Sequence, residues 1–246
     1  MTNIILMKPT LIIFLFLVTP ITFSQSVISG PDLLDKAIAY HDPNGNWNQF
    51  SGHLNVVMQT PDGPDRDSKI TMNLPAEYFQ VIAKRDTLTT TYTIDKGDCS
   101  IQLNGKENLS EAIRKEHNLS CERATLYKNY YTYLYGLPMK LKDPGTQISE
   151  TVELKSFKGK KYLVIKATYD EAIGSDVWYF YFDPKTYAME IYQFFKGNPK
   201  GKGKDTGEYI LLSEEAVIND IKMPKIRAWY YNKDDKYLGT DLLKTE

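Results

Sequence analysis

Residues 127–146 read YKNYYTYLYGLPMKLKDPGT and decide how the rest of the chain is arranged. Five tyrosines lie in the first nine residues, and Gly136 and Pro138, which stop a helix, follow them. We therefore predict a tyrosine-rich helix that ends at Gly136. The residues after it, Leu137, Pro138 and Met139, are predicted to run extended across a β-sheet, because in water they would leave apolar surface exposed.

Short segments of alternating apolar and polar residues flank this stretch and predict β-strands. Five segments precede it and seven follow it, with connectors short enough for hairpins, so the strands should form an antiparallel meander. Residues 25–246 are predicted to be one α+β domain with a central helical segment and an N-terminal helix. That helix starts after Gly30 and stops near His41, because Asp42 precedes Pro43. The predicted strands are residues 54–58, 70–74, 78–83, 88–94, 99–103, 151–157, 161–169, 177–183, 187–195, 208–218, 225–232 and 237–243.

The first residues of the chain have the features of an export signal. An unbroken apolar run, residues 11–18, follows Lys8 and precedes Pro20 and a small polar segment that ends at Ser24. A basic start, a short apolar region and a cleavage site are typical of a secretory signal peptide. We predict that residues 1–24 are a signal peptide and that the protein reaches the periplasm or the extracellular medium. An uncleaved membrane anchor is the alternative.

The charge pattern argues against nucleic acid as a partner. The chain has 30 basic and 31 acidic side chains and a formal charge of −1, whereas nucleic-acid-binding domains carry clustered basic residues. Residues 196–204 form a lysine-rich segment whose glycines lack the spacing of a phosphate-binding loop. We expect no nucleic acid partner and a monomer, and we expect this loop to contact a membrane surface peripherally.

The two cysteines of the chain, Cys99 and Cys121, are candidates for a disulfide. An exported protein with a small, even number of cysteines often pairs them, and the predicted elements that carry these two are joined by a short segment. A bridge across this loop would stabilise the fold by about 3 kcal/mol in the chain-entropy model. Two buried free thiols are the alternative. The spacing excludes a zinc site of the C-x-x-C type.

No arrangement of residues in the sequence predicts catalysis. His41 and Asp42 are adjacent, and neighbours in sequence rarely hold the geometry of a catalytic pair; no G-x-S-x-G nucleophile motif accompanies them. The three histidines lack the spacing of a helical metal site, and the acidic loop of residues 170–176 lacks that of a calcium loop. We therefore expect no catalytic residue, metal or cofactor. A hydrolase that uses the region of His41 and Asp42 or the loop of residues 170–176 is the alternative.

Two strands carry large aromatic residues on both faces. Residues 178–182 read WYFYF and residues 229–231 read WYY, whereas a strand with one solvated face should alternate. One face is expected to lie under the helices and the other against a cavity, a partner or a ligand; a core with two covered faces is the alternative. We predict a ligand site between the segment after the helix and the first aromatic strand, formed by Tyr135, Leu137, Met139, Trp178, Phe180 and Phe182.

Several blocks of the sequence resemble a family of uncharacterised exported bacterial proteins. They are YHDP at residues 40–43 with Trp47, YLYGLPMKL with DPGT at residues 133–146, WYFYFDP at residues 178–184, and LGTD at residues 238–241. The resemblance implies no catalytic residues. More distantly, the order of elements is similar to the LolA/LolB-like lipoprotein carriers. That similarity implies a half-barrel, a curved antiparallel sheet of about 11 strands that holds acyl chains under helices on its concave face.

The sequence thus favours an exported binding protein for an apolar or amphipathic ligand, such as a lipid or a lipoprotein acyl chain. Its expected partner is an apolar small molecule or a lipid. An envelope hydrolase and a structural protein-interaction module remain the alternatives.

Overall fold

The computed structural model describes residues 28–172 and 174–244, and the predicted signal peptide lies outside them. These residues form a 13-stranded sheet in which every pairing is antiparallel. The strands are β1 Ser51–Thr60, β2 Gly63–Asn73, β3 Tyr78–Arg85, β4 Leu88–Asp95, β5 Asp98–Leu103, β6 Thr146–Ile148, β7 Glu153–Phe157, β8 Lys160–Tyr169, β9 Val177–Phe182, β10 Met189–Phe195, β11 Glu208–Ile218, β12 Ile221–Tyr231 and β13 Tyr237–Lys244.

The sheet consists of two meanders joined side by side. Its strand order is β5-β4-β3-β2-β1-β13-β12-β11-β10-β9-β8-β6, with β7 also paired to β8. The first and last strands of the chain meet in the middle, where Val56 lies opposite Leu243. The predicted curved antiparallel sheet is confirmed, and it is not closed. Two more strands occur than the expected eleven or so; β6 escaped prediction because three residues are too few to show an alternating pattern.

Helix α1, Gly30–His41, forms where the sequence predicts it. The Ser29 side chain caps its N-terminus by accepting a hydrogen bond from the Asp32 amide, 3.2 Å away. Leu33, Leu34 and Ala37 are buried on one face, and the helix packs against β12. The helix stops at His41 because Asp42 precedes a proline.

The central helical segment consists of α2, Glu111–Glu116, and α3, Cys121–Gly136. Helix α3 ends at Gly136 as predicted and packs across β3, β4 and β5. Of the predicted extended run, only Leu137 is extended; the prediction is wrong for Pro138 and Met139, since Met139–Lys142 is a short 3-10 helix. Pro138 adopts helical backbone angles, and its carbonyl accepts a hydrogen bond from the Leu141 amide. A proline is permitted at a helix start, where its missing N–H costs nothing.

A disulfide joins the edge of the first meander to α3. Cys99 lies in β5 and Cys121 is the first residue of α3, and their Cα atoms are 5.9 Å apart. This bridge fixes the start of the helix to an edge strand. The rest of the helix then extends over the sheet toward the C-terminal meander.

The two faces of the aromatic strand β9 are covered by different groups. Phe180 and Phe182 belong to the main core under the helices, whereas Tyr181 belongs to a smaller cluster on the opposite face. Phe157, from β7, packs on Tyr181 with the ring centroids 5.4 Å apart. Lys155 covers the neighbouring Tyr179 ring, 4.4 Å from its centroid. Both faces are therefore covered by the protein itself.

Gly136 is required by close packing rather than by its backbone angles. A Cβ atom at this position would lie 2.3 Å from the Trp47 ring and 2.6 Å from the Lys140 side chain. We expect Gly136→Ala to lower the free energy of unfolding by about 1–3 kcal/mol, although alanine is the better helix former. Urea unfolding followed by circular dichroism measures it. Gly201→Ala, in a loop where the nearest atoms are 3.9 Å away, should change stability by less than about 0.5 kcal/mol; equal effects would contradict the packing argument.

Candidate ligand cleft

An aromatic cleft lies between the C-terminal half of α3 and strands β9 to β12. Its volume is about 660 Å³, within the range of about 300–1,000 Å³ that small-molecule sites occupy. Leu126 stands at its mouth with 65% of its surface exposed. We call this space the aromatic cleft, after the six aromatic residues that line it: Tyr130, Tyr133, Tyr169, Trp178, Phe194 and Trp229.

Strand register builds the floor of the aromatic cleft. Phe194 in β10 lies opposite Trp178 in β9 on one side and Glu208 in β11 on the other, and Glu208 lies opposite Tyr231 in β12. Trp178 and Phe194 are stacked with their ring centroids 4.8 Å apart. These four residues form one row across four strands, and all of them except Tyr231 line the aromatic cleft. The row places a single carboxylate among three aromatic rings.

Helix α3 forms the opposite wall through two tyrosines. Tyr130 stacks on Trp229 with a centroid separation of 6.2 Å, and its hydroxyl donates a hydrogen bond to Asp241, 2.7 Å away. Tyr133 meets Trp178 edge-on at 5.7 Å, and its hydroxyl is hydrogen-bonded to that of Tyr169. The helix is thus held to the sheet at two points, and the aromatic cleft opens between them.

A smaller recess of about 270 Å³ continues from the aromatic cleft toward β13 and β1. The two spaces share Tyr130, Glu208 and Trp229. Gly239 lies opposite Trp229 in the β12–β13 pairing, and a Cβ atom at Gly239 would come within 2.5 Å of a backbone oxygen of β1. The glycine therefore lets β1 and β13 approach closely beside the tryptophan.

Two charged residues lie buried beneath the aromatic cleft. Arg227 is fully buried, donates hydrogen bonds to the carbonyl oxygens of Leu134 and Pro224 at 3.2 and 3.1 Å, and lies 3.9 Å from the Tyr135 ring centroid. Asp241 is its neighbour across the β12–β13 pairing. Burial raises the pKa of Asp241, while the hydrogen bond from Tyr130 and the positive charge of Arg227 oppose that rise.

The residues predicted from the sequence to form a ligand site occupy two kinds of position. Trp178 lines the aromatic cleft. The other five do not line it but are buried in the main core, and none of them is more than 8% exposed: Tyr135, Leu137, Met139, Phe180 and Phe182. Phe180 stacks on Trp178, with the ring centroids 6.0 Å apart. Direct ligand contact by all six stays a prediction.

Sequence reasoning left several lining residues out of the predicted site. Tyr130, Tyr133 and Trp229 belong to aromatic stretches that the sequence singles out. Phe194 and Glu208 have no local signal, because they are ordinary residues at the ends of two strands. Only the pairing of β10 with β11 brings them together.

His41 and Asp42 are engaged in holding the fold together. The His41 ring is 2% exposed, its Nδ1 lies 2.8 Å from the Lys222 carbonyl, and its Nε2 lies 2.9 Å from the Met189 amide. Nδ1 therefore carries the proton, and Nε2 accepts. Burial lowers the pKa of His41. Asp42 accepts hydrogen bonds from the amides of Asn46 and Trp47, so neither residue presents a free acid or base to a substrate.

Several other acidic side chains also have ion-pair or hydrogen-bond partners within the protein. Near α1 a cavity of about 490 Å³ is lined by Asp183 and Glu190 among others, and Lys160 forms ion pairs with both at 2.8 and 2.6 Å. This hydrogen bonding with Lys160 lowers the pKa of Asp183. In the loop of residues 170–176, Asp170 accepts a hydrogen bond from Gln147. Residues 28–172 and 174–244 contain no group of three or more acidic, histidine or cysteine side chains suited to a metal ion.

The fold belongs to a known class. A LolA superfamily protein from Nitrosomonas europaea is similar with a TM-score of 0.50 and 11% identity, over 89% of this chain and 92% of that one. A DUF1329 family protein from Desulfovibrio piger is similar with a TM-score of 0.52 and 10% identity, over the same shares of the two chains. The curved sheet with helices packed on it is therefore LolA-like.

The chain belongs to DUF6503, a family of unknown function, whose model matches residues 11–245. No curated protein matches the chain. Within the described part of the chain, no helix combines the length and the apolar character needed to cross a membrane.

Proposed function

We propose that this protein is exported and binds an apolar or amphipathic ligand, such as a lipid or an acyl chain, in the aromatic cleft. The observation that carries the proposal is an open space of about 660 Å³ lined by aromatic side chains and entered beside the exposed Leu126. The similarity to a LolA superfamily protein supports it, and the space itself lies between the curved sheet and α3. The apolar run of residues 11–18 supports export.

The size of the aromatic cleft sets the affinity to expect. Each sheltered ligand methylene contributes about 0.8 kcal/mol, so eight would contribute about 6 kcal/mol before the cost of association is subtracted. With the lowest association cost of about 4 kcal/mol, eight methylenes leave only about 2 kcal/mol, whereas a fully sheltered dodecyl chain leaves about 5–6 kcal/mol. A dissociation constant of about 0.1 mM is therefore expected for a dodecyl chain. A hydrolase is not favoured, because both ring nitrogens of His41 are bonded to backbone groups.

Binding can be tested with dodecyl maltoside, an uncharged amphiphile, below its critical micelle concentration. Trp178 and Trp229 line the aromatic cleft and report on occupancy by their fluorescence. We expect saturable binding to the mature protein. Asn129→Trp, on the cleft side of α3, should weaken binding by about tenfold or more, because the new ring fills the space.

The matched control is Thr125→Trp, an exposed position one turn earlier on α3. This variant should bind within about twofold of the wild type. Absence of saturable binding, or equal affinities in the wild type and Asn129→Trp, would contradict the proposed site. Circular dichroism of both variants checks that the fold is kept.

A further inference from the structure

The aromatic cleft contains one carboxylate whose position is unusual. Glu208 is the first residue of β11 and lies in the cross-strand row between Phe194 and Tyr231. It lines both the aromatic cleft and the recess that continues from it. The carboxylate is therefore at the point where the two spaces meet, beside Trp229.

The other charged groups that line these two spaces have partners. Lys140 and Asp143 form an ion pair with each other, and Asp241 accepts the hydrogen bond of Tyr130. In residues 28–172 and 174–244, Glu208 takes part in no ion pair. Partial burial raises the pKa of Glu208, and the charge of Lys196 in the adjoining loop, beyond ion-pair distance, opposes that rise. Glu208 is thus a half-buried acid with no fixed counter-charge.

The aromatic rings around Glu208 favour the same kind of ligand group. The faces of aromatic rings carry partial negative charge and attract cations, most strongly for tryptophan. Trp229 and Phe194 are both near neighbours of Glu208 in the sheet. A positive group placed here would meet a carboxylate and aromatic surface together, whereas a negative group would meet an uncompensated like charge.

We propose that the aromatic cleft selects an amphiphile with a positive charge, an amine or a quaternary ammonium group, attached to its apolar chain, and that Glu208 is the residue that selects it. The proposal rests on the proposed function and specifies its ligand class. The apolar chain lies along Trp178 and Phe194, and the cationic group lies against Glu208 and Trp229.

The test compares three amphiphiles that share one dodecyl chain and differ in charge. Dodecyltrimethylammonium, dodecyl maltoside and dodecyl sulfate are titrated below their critical micelle concentrations, with tryptophan fluorescence as the readout and circular dichroism as a check of folding. We expect the cationic probe to bind about tenfold or more tighter than the maltoside, and the sulfate to bind more weakly than both.

Two variants of equal charge separate Glu208 from the general charge of the protein. Glu208→Gln should bring the affinity for the cationic probe to within about threefold of the maltoside affinity measured with the same variant. Glu77→Gln removes the same charge from an exposed turn between β2 and β3, and it should keep the wild-type preference.

The outcomes distinguish this inference from the function on which it rests. If the maltoside binds but the cationic probe binds no tighter, or if Glu208→Gln keeps the cationic preference, the selection is overturned and the apolar site stands. If none of the three probes binds saturably, the proposed function itself fails.

Discussion

Replacing Arg227 with methionine is expected to lower the free energy of unfolding by about 3–5 kcal/mol, the range for breaking a buried charge interaction. Arg227 is fully buried, and its guanidinium supplies hydrogen bonds to the carbonyl oxygens of Pro224 and Leu134. Without it both oxygens lose their donor, and Asp241 stays buried without the positive charge across the strand pair. Urea unfolding followed by circular dichroism gives the value.

A second variant assigns the cause of this loss. Arg227→Met combined with Asp241→Asn should recover about 1 kcal/mol or more relative to Arg227→Met alone, because it removes the uncompensated charge. Arg85→Met, at an exposed arginine in β3, is the matched control and should change stability by less than about 0.5 kcal/mol. A loss below about 1 kcal/mol for Arg227→Met would show that the buried arginine contributes little to the fold.

Removal of the disulfide is expected to lower the free energy of unfolding by about 3 kcal/mol. The bridge spans 22 residues between Cys99 and Cys121, so in the chain-entropy model it restricts the unfolded chain over that loop. The double variant Cys99→Ser, Cys121→Ser and the reduced wild type should show similar losses in urea unfolding. A reductant should leave the double variant unchanged.

The same double variant tests whether the disulfide, which stabilises the fold, also affects ligand binding in the aromatic cleft. The disulfide joins α3 to β5, at one edge of the sheet, whereas the cleft lies against β9 to β12. Dodecyl maltoside affinity should therefore stay within about threefold of the wild type as long as the protein is folded. Two results would contradict this expectation. One is an unchanged free energy of unfolding in the double variant, and the other is a loss of maltoside binding by the folded double variant.

The sequence alone determined the elements of this protein and their order. Alternation of apolar and polar residues predicts twelve of the strands, since an antiparallel strand with one buried face has a period of two. Gly136 predicts the end of α3, and Asp42 with Pro43 predicts the end of α1. These signals are local, because each depends on the backbone preferences of a few neighbouring residues.

Local signals were insufficient at Pro138 and Arg227. Pro138 ends the preceding helix, but it also allows a new one to begin, so Met139–Lys142 forms a 3-10 helix where an extended segment was predicted. Arg227 sits in a strand whose charged residues would be expected on the solvated face. The cover that α3 places over it, with the Leu134 carbonyl and the Tyr135 ring, buries it instead.

The aromatic cleft was decided by tertiary structure. Its floor includes single residues from three strands, Trp178, Phe194 and Glu208, and no two of them are neighbours in sequence. Their alignment depends on strand register, which the turns and bulges of the whole meander set together. A shift of one residue would turn each side chain to the other face of the sheet. The sequence therefore determined that the strands are aromatic, and only the register decided which of those rings, with which carboxylate, face the same space.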